Sequence, residues 1–307
     1  VNNQIFYGDQ RTDQWHKLRL GLFTSSTIYH LFEDSSKQAK ATALMGQIKD
    51  GIWRPTGEVL NHRPTSDDMK YICDYLVKFK FLKALDVPFL KKDLKAALKG
   101  AVGELPKDCL LILTACYALQ KIEVASGSML MLCKKKAMDI IYEDTDEDLM
   151  GIDAIEWGIE NEPLALSFFE RNSLERLDEK EQKISFILNE RLQTGSSPDA
   201  TIDGGKIPVE VKNPRQRGIH YDHNRIKTAD DLFAFDKQKY YQIQHQIWCL
   251  GAKYGFFASF DRRLLGTKFE HKTLHYIRIE RNEKVMQQFE PRLLQAIEVR
   301  NKFINEF

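Results

Sequence analysis

The chain has 307 residues, 43% of them hydrophobic and 29% charged, with 45 Lys and Arg against 44 Asp and Glu. That apolar share suffices for a buried core and excludes general disorder, and a net charge of +1 provides no global field to steer a polyanion. No apolar run approaches the roughly 20 residues of a membrane span, Val1-Asn2-Asn3-Gln4 lacks a signal-peptide pattern, and five cysteines without C-x-x-C spacing read as buried thiols; the expectation is a cytoplasmic chain with no membrane partner.

In chain order, residues 1–35 end in a helix-like stretch opening at Thr24-Ser25-Ser26, whose hydroxyls suit the capping of free N–H groups. Residues 36–126 read as almost wholly helical. Apolar residues recur at three/four spacing over Asp67–Leu85 and Leu90–Leu98, and Lys107–Ile122 is apolar nearly all round. Lys78 to Lys99 holds seven lysines against Asp86 and Asp93, a local charge of +5. A helix spans Ser126–Tyr142, and a long one over Asp153–Arg171 follows the acidic stretch Glu143–Asp148. The period then changes. Lys183–Asn189, Pro198–Asp203 and Ile207–Val211 read as short strands, the last two joined by the hairpin turn Asp203-Gly204-Gly205-Lys206. A helix over Ala234–Leu250, strands at Gly255–Phe260 and Thr273–Ile279, and a closing amphipathic helix over Glu283–Phe303 complete an α/β fold with one central mixed sheet flanked by helices. The expected organisation is a core of residues 1–35 and 127–307, with 36–126 as an inserted all-helical module.

The densest chemistry is Ser197-Pro198-Asp199 followed by Val209-Glu210-Val211-Lys212. Residues two apart on a strand share a face, so Glu210 and Lys212 project together while Val209 and Val211 turn to apolar packing. If the two strands pair, Asp199 converges on the same spot. Two carboxylates make a hard-oxygen site suited to Mg²⁺, and an ammonium beside them offsets charge developing on phosphorus. Alone, E-x-K is common as a surface ion pair; the full P-D-x10-E-x-K string on a hairpin is far more specific and matches the motif of the restriction-endonuclease-like nuclease superfamily.

Two further groups stand out. In Tyr240–Trp248, Gln242 and Gln246 share one helical face, suited to orienting a phosphate or a water, or simply to reaching solvent. Arg19, with serine hydroxyls and a helix start, suits a phosphate, and Trp15 beside it suits a core plug. On the long helix, Glu156, Glu160 and Glu170 read as a solvated face.

These blocks occur in a fixed order: Trp15-His16-Lys17-Leu18-Arg19-Leu20-Gly21 with Thr24-x-Ser26, Trp157-Gly158-x3-Glu162, Ser197-Pro198-Asp199, Glu210-x-Lys212-x-Pro214, Gln242-x-Gln244, and Leu274-His275-Tyr276-x2-Ile279-Glu280-Arg281-x-Glu283-Lys284. In them the chain resembles the phage lambda exonuclease, or YqaJ-type viral recombinase, family over about residues 8–35 and 127–305. The resemblance implies a restriction-endonuclease-like core and a Mg²⁺-dependent 5′-to-3′ exonuclease, with Mn²⁺ as a substitute. Its substrate is linear double-stranded DNA, and its product a 3′ overhang for recombination through a single-strand annealing protein. It implies Asp199, Glu210, the Val211 carbonyl and Glu162 as metal ligands, Lys212 as the catalytic lysine, and Gln242 in the site. Trp15, Arg19, Ser26 and Ser197 form the implied 5′-phosphate pocket. A phage origin would place the protein in a bacterial host cytoplasm. Residues 36–126 depart from the family, whose members have a short link there, and bear on whether its ring-shaped trimer, a homo-oligomer, forms. The alternatives are an endonuclease of the same superfamily and a non-cleaving adaptor that binds DNA ends.

Overall fold

The chain divides into two compact units, Val1–Glu33 with Ser128–Phe307, and Asp34–Gly127. The computed structural model describes residues 3–54, 64–98, 105–145, 152–179 and 182–307; part of the acidic stretch before the long helix lies outside them. The first unit opens with β1 (Gln4–Tyr7), α1 (Asp13–Arg19) and the two-residue β2 (Phe23–Thr24). α1 starts behind Thr12, whose hydroxyl accepts the Trp15 N–H. Thr24-Ser25-Ser26 caps no helix. A 3-10 turn over Ile28–Phe32 follows Thr27 without a side-chain cap, because the hydroxyls serve elsewhere: Thr24 Oγ1 pairs with Ser26 Oγ at 3.2 Å, and Ser25 Oγ with His245 Nδ1 at 2.7 Å.

The second unit consists of α2 (Lys37–Lys49), α3 (Ser66–Lys78), α4 (Val87–Leu98) and α5 (Lys107–Lys121). α3 is entered through a capping box in which Thr65 and Asp68 satisfy each other's backbone N–H. The all-round apolar α5 has a matching place: its Cys109, Ile112, Cys116 and Leu119 form one core with Leu44, Ile72, Leu76 and Leu94 from the other three helices. Of the lysines singled out above, Lys78, Lys80, Lys83, Lys92 and Lys95 are exposed and Lys91 is half-buried; Lys99 lies outside the described residues.

The first unit resumes with α6 (Gly127–Ile141), α7 (Asp153–Ser173), β3 (Ile184–Asn189), β4 (Thr194–Ser196), β5 (Ala200–Ile202), β6 (Ile207–Lys212) and α8 (Arg217–His223). It ends with α9 (Ala229–Phe235), α10 (Lys237–Leu250), β7 (Tyr254–Phe260), β8 (Leu274–Glu280) and α11 (Glu283–Glu306). The fold is α/β and its strand arrangement is mixed, but among the described residues two four-stranded sheets replace the single one expected, in the orders β1-β3-β4-β2 and β5-β6-β7-β8. The division falls at Ser197-Pro198-Asp199, between β4 and β5. Pro198 has no N–H and cannot carry a ladder onward. The helix expected over Ala234–Leu250 is likewise two, because Asp236 ends α9 and caps α10 by accepting the Lys239 N–H.

In the second sheet, Val209, Val211, Phe256, Ala258 and Phe260 form one core with Ala165 and Phe169 of α7. The other face carries Glu210 beside Phe257 and Lys212 beside Ser259, register partners across the parallel β6/β7 pair. α10 packs against both sheets with Gln242 through Cys249 buried, and ends at Gly251 with φ +65°. All five cysteines are buried and free. Among the described residues no helix is long and apolar enough to cross a membrane.

His245 on α10 lies between Ser25 and Thr194, and burial pushes its pKa down to about 3. The unfolded chain takes up a proton below about pH 6.5 that the folded imidazole refuses, so stability falls as pH drops from there toward 3. His245→Gln should flatten this acid limb by up to about 1.4 kcal/mol per pH unit, measured as the urea midpoint between about pH 6.5 and 4. An unchanged slope would contradict a neutral, buried His245.

Candidate active site

Glu210 stands on β6 at 1% exposure. A buried carboxylate needs donors, and three side chains supply them. Lys212 Nζ and Gln242 Nε2 both donate to Oε1, the amide at 2.5 Å, and Gln246 Nε2 donates to Oε2. Gln242 and Gln246 are one helical turn apart, so the i,i+4 spacing delivers both amides to one carboxylate. Their N–H groups thus hold Glu210 rather than a phosphate, a water or bulk solvent. Gln246 was missed as a site residue, although the face it shares with Gln242 was the available signal. Burial works against the Lys212 ammonium, yet Glu210 and Asp199 outweigh it and raise its pKa, so this lysine stays charged.

Asp199 follows Pro198 directly, and its Oδ2 accepts the Val211 N–H at 2.7 Å. The β5/β6 register, with Ala200 opposite Val209, sets Pro198 opposite Val211. Proline offers no N–H, so the ladder provides no donor for the Val211 carbonyl, which lies on the same strand edge as the Val211 N–H. Burial, and then the charge of Glu210, push the Asp199 carboxyl up to about 8.

Glu162 comes from α7. Ala154, Ile155, Gly158, Ile159 and Glu162 recur at helical spacing and line a cleft of about 540 Å³, together with Asp199, Val211 and Lys212. Pro163 follows, where the missing N–H frees the Ile159 carbonyl; beyond it α7 turns Ala165 and Phe169 into the sheet core. Glu162 is ion-paired with Arg11 at 2.7 Å. Arg11 has φ +66°, a conformation few non-glycine residues adopt, and no periodic pattern announced it. His223, Asp236 and Lys239 complete the far wall. The pKa of Lys239 is lowered by burial and then by the neighbouring Lys212 charge. Glu160 and Glu170 have outer roles: one pairs with Arg262 at 3.0 Å, the other accepts the Leu177 N–H at 3.1 Å.

Trp15, Arg19 and Ser197 are brought together. Ser197 Oγ accepts from Trp15 Nε1 at 3.0 Å and from Arg19 Nη1 at 3.2 Å, and the Arg19 guanidinium lies 3.9 Å from the Trp15 ring centroid. Ser26 follows β2, which runs parallel to β4 with Thr24 opposite Gly195. Its hydroxyl is bonded to Thr24, and its carbonyl accepts the Gln238 amide at 3.2 Å.

Fold and motif together define a protein with a restriction-endonuclease-like core. Residues 116–253 match the model of the YqaJ-like viral recombinase domain. The structure is similar to that of LHK-Exo in complex with dAMP, with a TM-score of 0.53 and 14% identity over 96% of this chain and 95% of that one. It also aligns with the alkaline exonuclease LHK-Exo from Laribacter hongkongensis at TM-score 0.48 and 18% identity, over 60% of this chain and 85% of that one. A phage-related exonuclease from Haemophilus somnus aligns at TM-score 0.49 and 14% identity, over 59% and 84%. No curated protein matches the chain in sequence.

The bonding makes Glu210 and Asp199 unequal in their effect on the fold. Glu210→Ala strands three donors and should lower stability by about 3–5 kcal/mol. Asp199→Asn removes a charge that Glu210 repels and should leave Tm unchanged or raise it. Thermal melts of the two variants without added metal check this, and an equal loss in both would contradict the bonding described.

Proposed function

We propose that this chain is a nuclease acting on DNA, and within that class a Mg²⁺-dependent 5′-to-3′ exonuclease. On this reading it digests linear double-stranded DNA and leaves 3′ overhangs for a single-strand annealing protein. The observation that carries the reading is Asp199 bonded to β6 beside the Glu210–Lys212 pair, on a fold similar to that of LHK-Exo.

The donor set suits a hard cation. Asp199 and Glu210 offer carboxylates, and Val211 a carbonyl left without a ladder donor. The raised Asp199 carboxyl reflects burial and the repulsion between two charges, which a divalent ion relieves. Among the described residues no three Asp, Glu, His or Cys side chains are drawn together as a metal cluster. Glu162 therefore joins the set by giving up Arg11. Mg²⁺, or Mn²⁺ in its place, supplies Lewis acidity toward a phosphoryl oxygen when bound. Lys212, held charged by Glu210 and Asp199, offsets the negative charge that grows on phosphorus. Gln242 keeps Glu210 oriented. Arg19, Ser197 and Ser26 grip a terminal 5′-phosphate, with the Trp15 ring fixing the plane of Arg19.

Linear duplex bearing a 5′-phosphate should be digested faster than the same duplex with a 5′-hydroxyl, and only with Mg²⁺ or Mn²⁺ present. Asp199→Ala and Lys212→Ala should abolish digestion. Arg19→Ala should narrow the difference between the two ends by roughly 10- to 100-fold, the worth of one charge-assisted bond of about 1.5–3 kcal/mol. Cleavage of closed circles would support the endonuclease alternative, and binding of ends without digestion the adaptor.

Residues 36–126 are proposed as an inserted helical module whose lysines contact duplex DNA. Each phosphate contact contributes about −0.9 to the slope of log K against log salt. Replacing Lys78, Lys80, Lys92 and Lys95 by Gln should therefore flatten that slope by up to about 3.6 units while leaving the chemistry intact. An unchanged slope, with an altered oligomer mass on deleting residues 37–125, would assign the module to assembly of a homo-oligomer instead.

A further inference from the structure

Three buried side chains next to the motif form a hydrogen-bond relay. His220 and His223, on α8 at 3% and 2% exposure, both approach Ser259 Oγ through Nδ1, at 2.9 and 2.8 Å. His220 Nε2 lies 2.8 Å from the Lys272 carbonyl and 3.0 Å from Asn224 Nδ2; the carbonyl contact is the shorter and has only lone pairs to offer, and the Asn224 amide has the His220 carbonyl as an acceptor at 3.0 Å, so we assign the proton to this nitrogen. Burial holds the His220 pKa below its ordinary value, the ring is neutral, and its Nδ1 is an acceptor. Ser259 accordingly donates its single proton to His220 and has only lone pairs left for His223. His223 donates from Nδ1, which leaves its Nε2 unprotonated. That Nε2 is buried and has no hydrogen-bond partner among the described residues.

The relay is one strand away from the motif. Ser259 is the register partner of Lys212, and Phe257 that of Glu210, so these four side chains share one face of the sheet. His223 packs edge-on against Phe257 with 5.3 Å between ring centroids, and lines the cleft that holds Asp199 and Lys212. A buried acceptor without a donor costs free energy that an incoming O–H or N–H would recover. The cleft carboxylates are already engaged, Glu162 by Arg11, Asp236 by the Lys239 N–H and Asp199 by the Val211 N–H, whereas Asn213 Oδ1, which also lines the cleft, is likewise buried without a partner among the described residues.

Building on the reading of the chain as a DNA hydrolase, we propose that His223 is a further catalytic residue, whose Nε2 accepts a hydrogen bond from the attacking water and aims it at phosphorus. The oxygen of that water joins phosphorus as the P–O3′ bond opens. One of its protons stays with the new phosphate, and the other balances the proton taken up by the departing 3′-oxygen. Ser259 and His220 are positioning residues that set the tautomer of His223.

His223→Asn keeps an amide near the Nδ1 position and removes the Nε2 lone pair, whereas His223→Gln sets an amide oxygen near Nε2. On 5′-phosphorylated duplex with Mg²⁺, the Asn variant should lose roughly 10- to 100-fold in kcat. Its KM, its Kd for duplex in EDTA and its Tm should stay near wild type, and the Gln variant should recover part of the loss. Nitrogen NMR of the full chain should show His223 protonated at Nδ1 and bare at Nε2, with Ser259→Ala mixing the two tautomers. Wild-type kcat in the Asn variant, or a His223 protonated at Nε2, would overturn the proposal. Failure of the wild-type chain to digest DNA would sink the nuclease reading and this role with it; wild-type digestion with an unimpaired Asn variant would sink only the role of His223.

Discussion

A full negative charge at 1% exposure, on Glu210, sets the terms for everything packed around it. Left unpaired, such a charge costs several kcal/mol, so the chain has to bring donors to it. It does so twice from α10, through amides one turn apart, and once from two residues along the same strand. Those bonds fix the rotation of α10 about its axis. With Gln242 and Gln246 committed to β6, His245 points toward the other sheet and meets Ser25 and Thr194. One helix thereby holds the two sheets through polar contacts on separate faces, each fully buried. Apolar packing alone would allow α10 to slide or roll with modest loss; directional bonds to a buried charge do not.

Pro198 has a comparable reach at the level of the backbone. Because it lacks an N–H, the chain cannot pass from β4 to β5 within one ladder, and the sheet divides there. For the same reason the Val211 carbonyl opposite it receives no ladder donor. The Val211 N–H is taken by the Asp199 carboxylate, while the Pro198 carbonyl is bound by Gln10 at 2.8 Å. The adjacent letters of the motif are thus linked: proline opens the ladder, and aspartate occupies the opening with a side chain that also faces the cleft.

Much of this was legible from residue patterns, where period and turn chemistry agree. The alternation Val209/Glu210/Val211/Lys212 and the glycine turn before it specified the hairpin and the two faces of β6. The all-round apolar α5 announced a helix enclosed by others. What escaped were elements too short to show a period, β1, β2 and β4, which exist because long-range pairing stabilises them. The break at Asp236 escaped because its side chain caps the next helix from within a continuous helical pattern. Arg11 escaped because its place depends on a positive φ and on a partner 151 residues away. Gln246 was visible as a neighbour of Gln242, but nothing local says that one carboxylate can saturate two amides.

The near-zero net charge of the chain and its local cleft chemistry fit together once the state of each group is considered. By composition the cleft is balanced, with Arg11, Lys212 and Lys239 against Glu162, Asp199 and Asp236. The balance does not survive the bonding. Burial, and then Glu210, oppose the charge on Asp199, whereas Lys212 stays an ammonium. Lys239 is a buried amine whose pKa is held down partly by Lys212 beside it. A phosphate entering between the two amines would relieve that repulsion and favour the charged form of both. An anion in the cleft would in this way strengthen its own attraction locally, whatever the net charge of the chain.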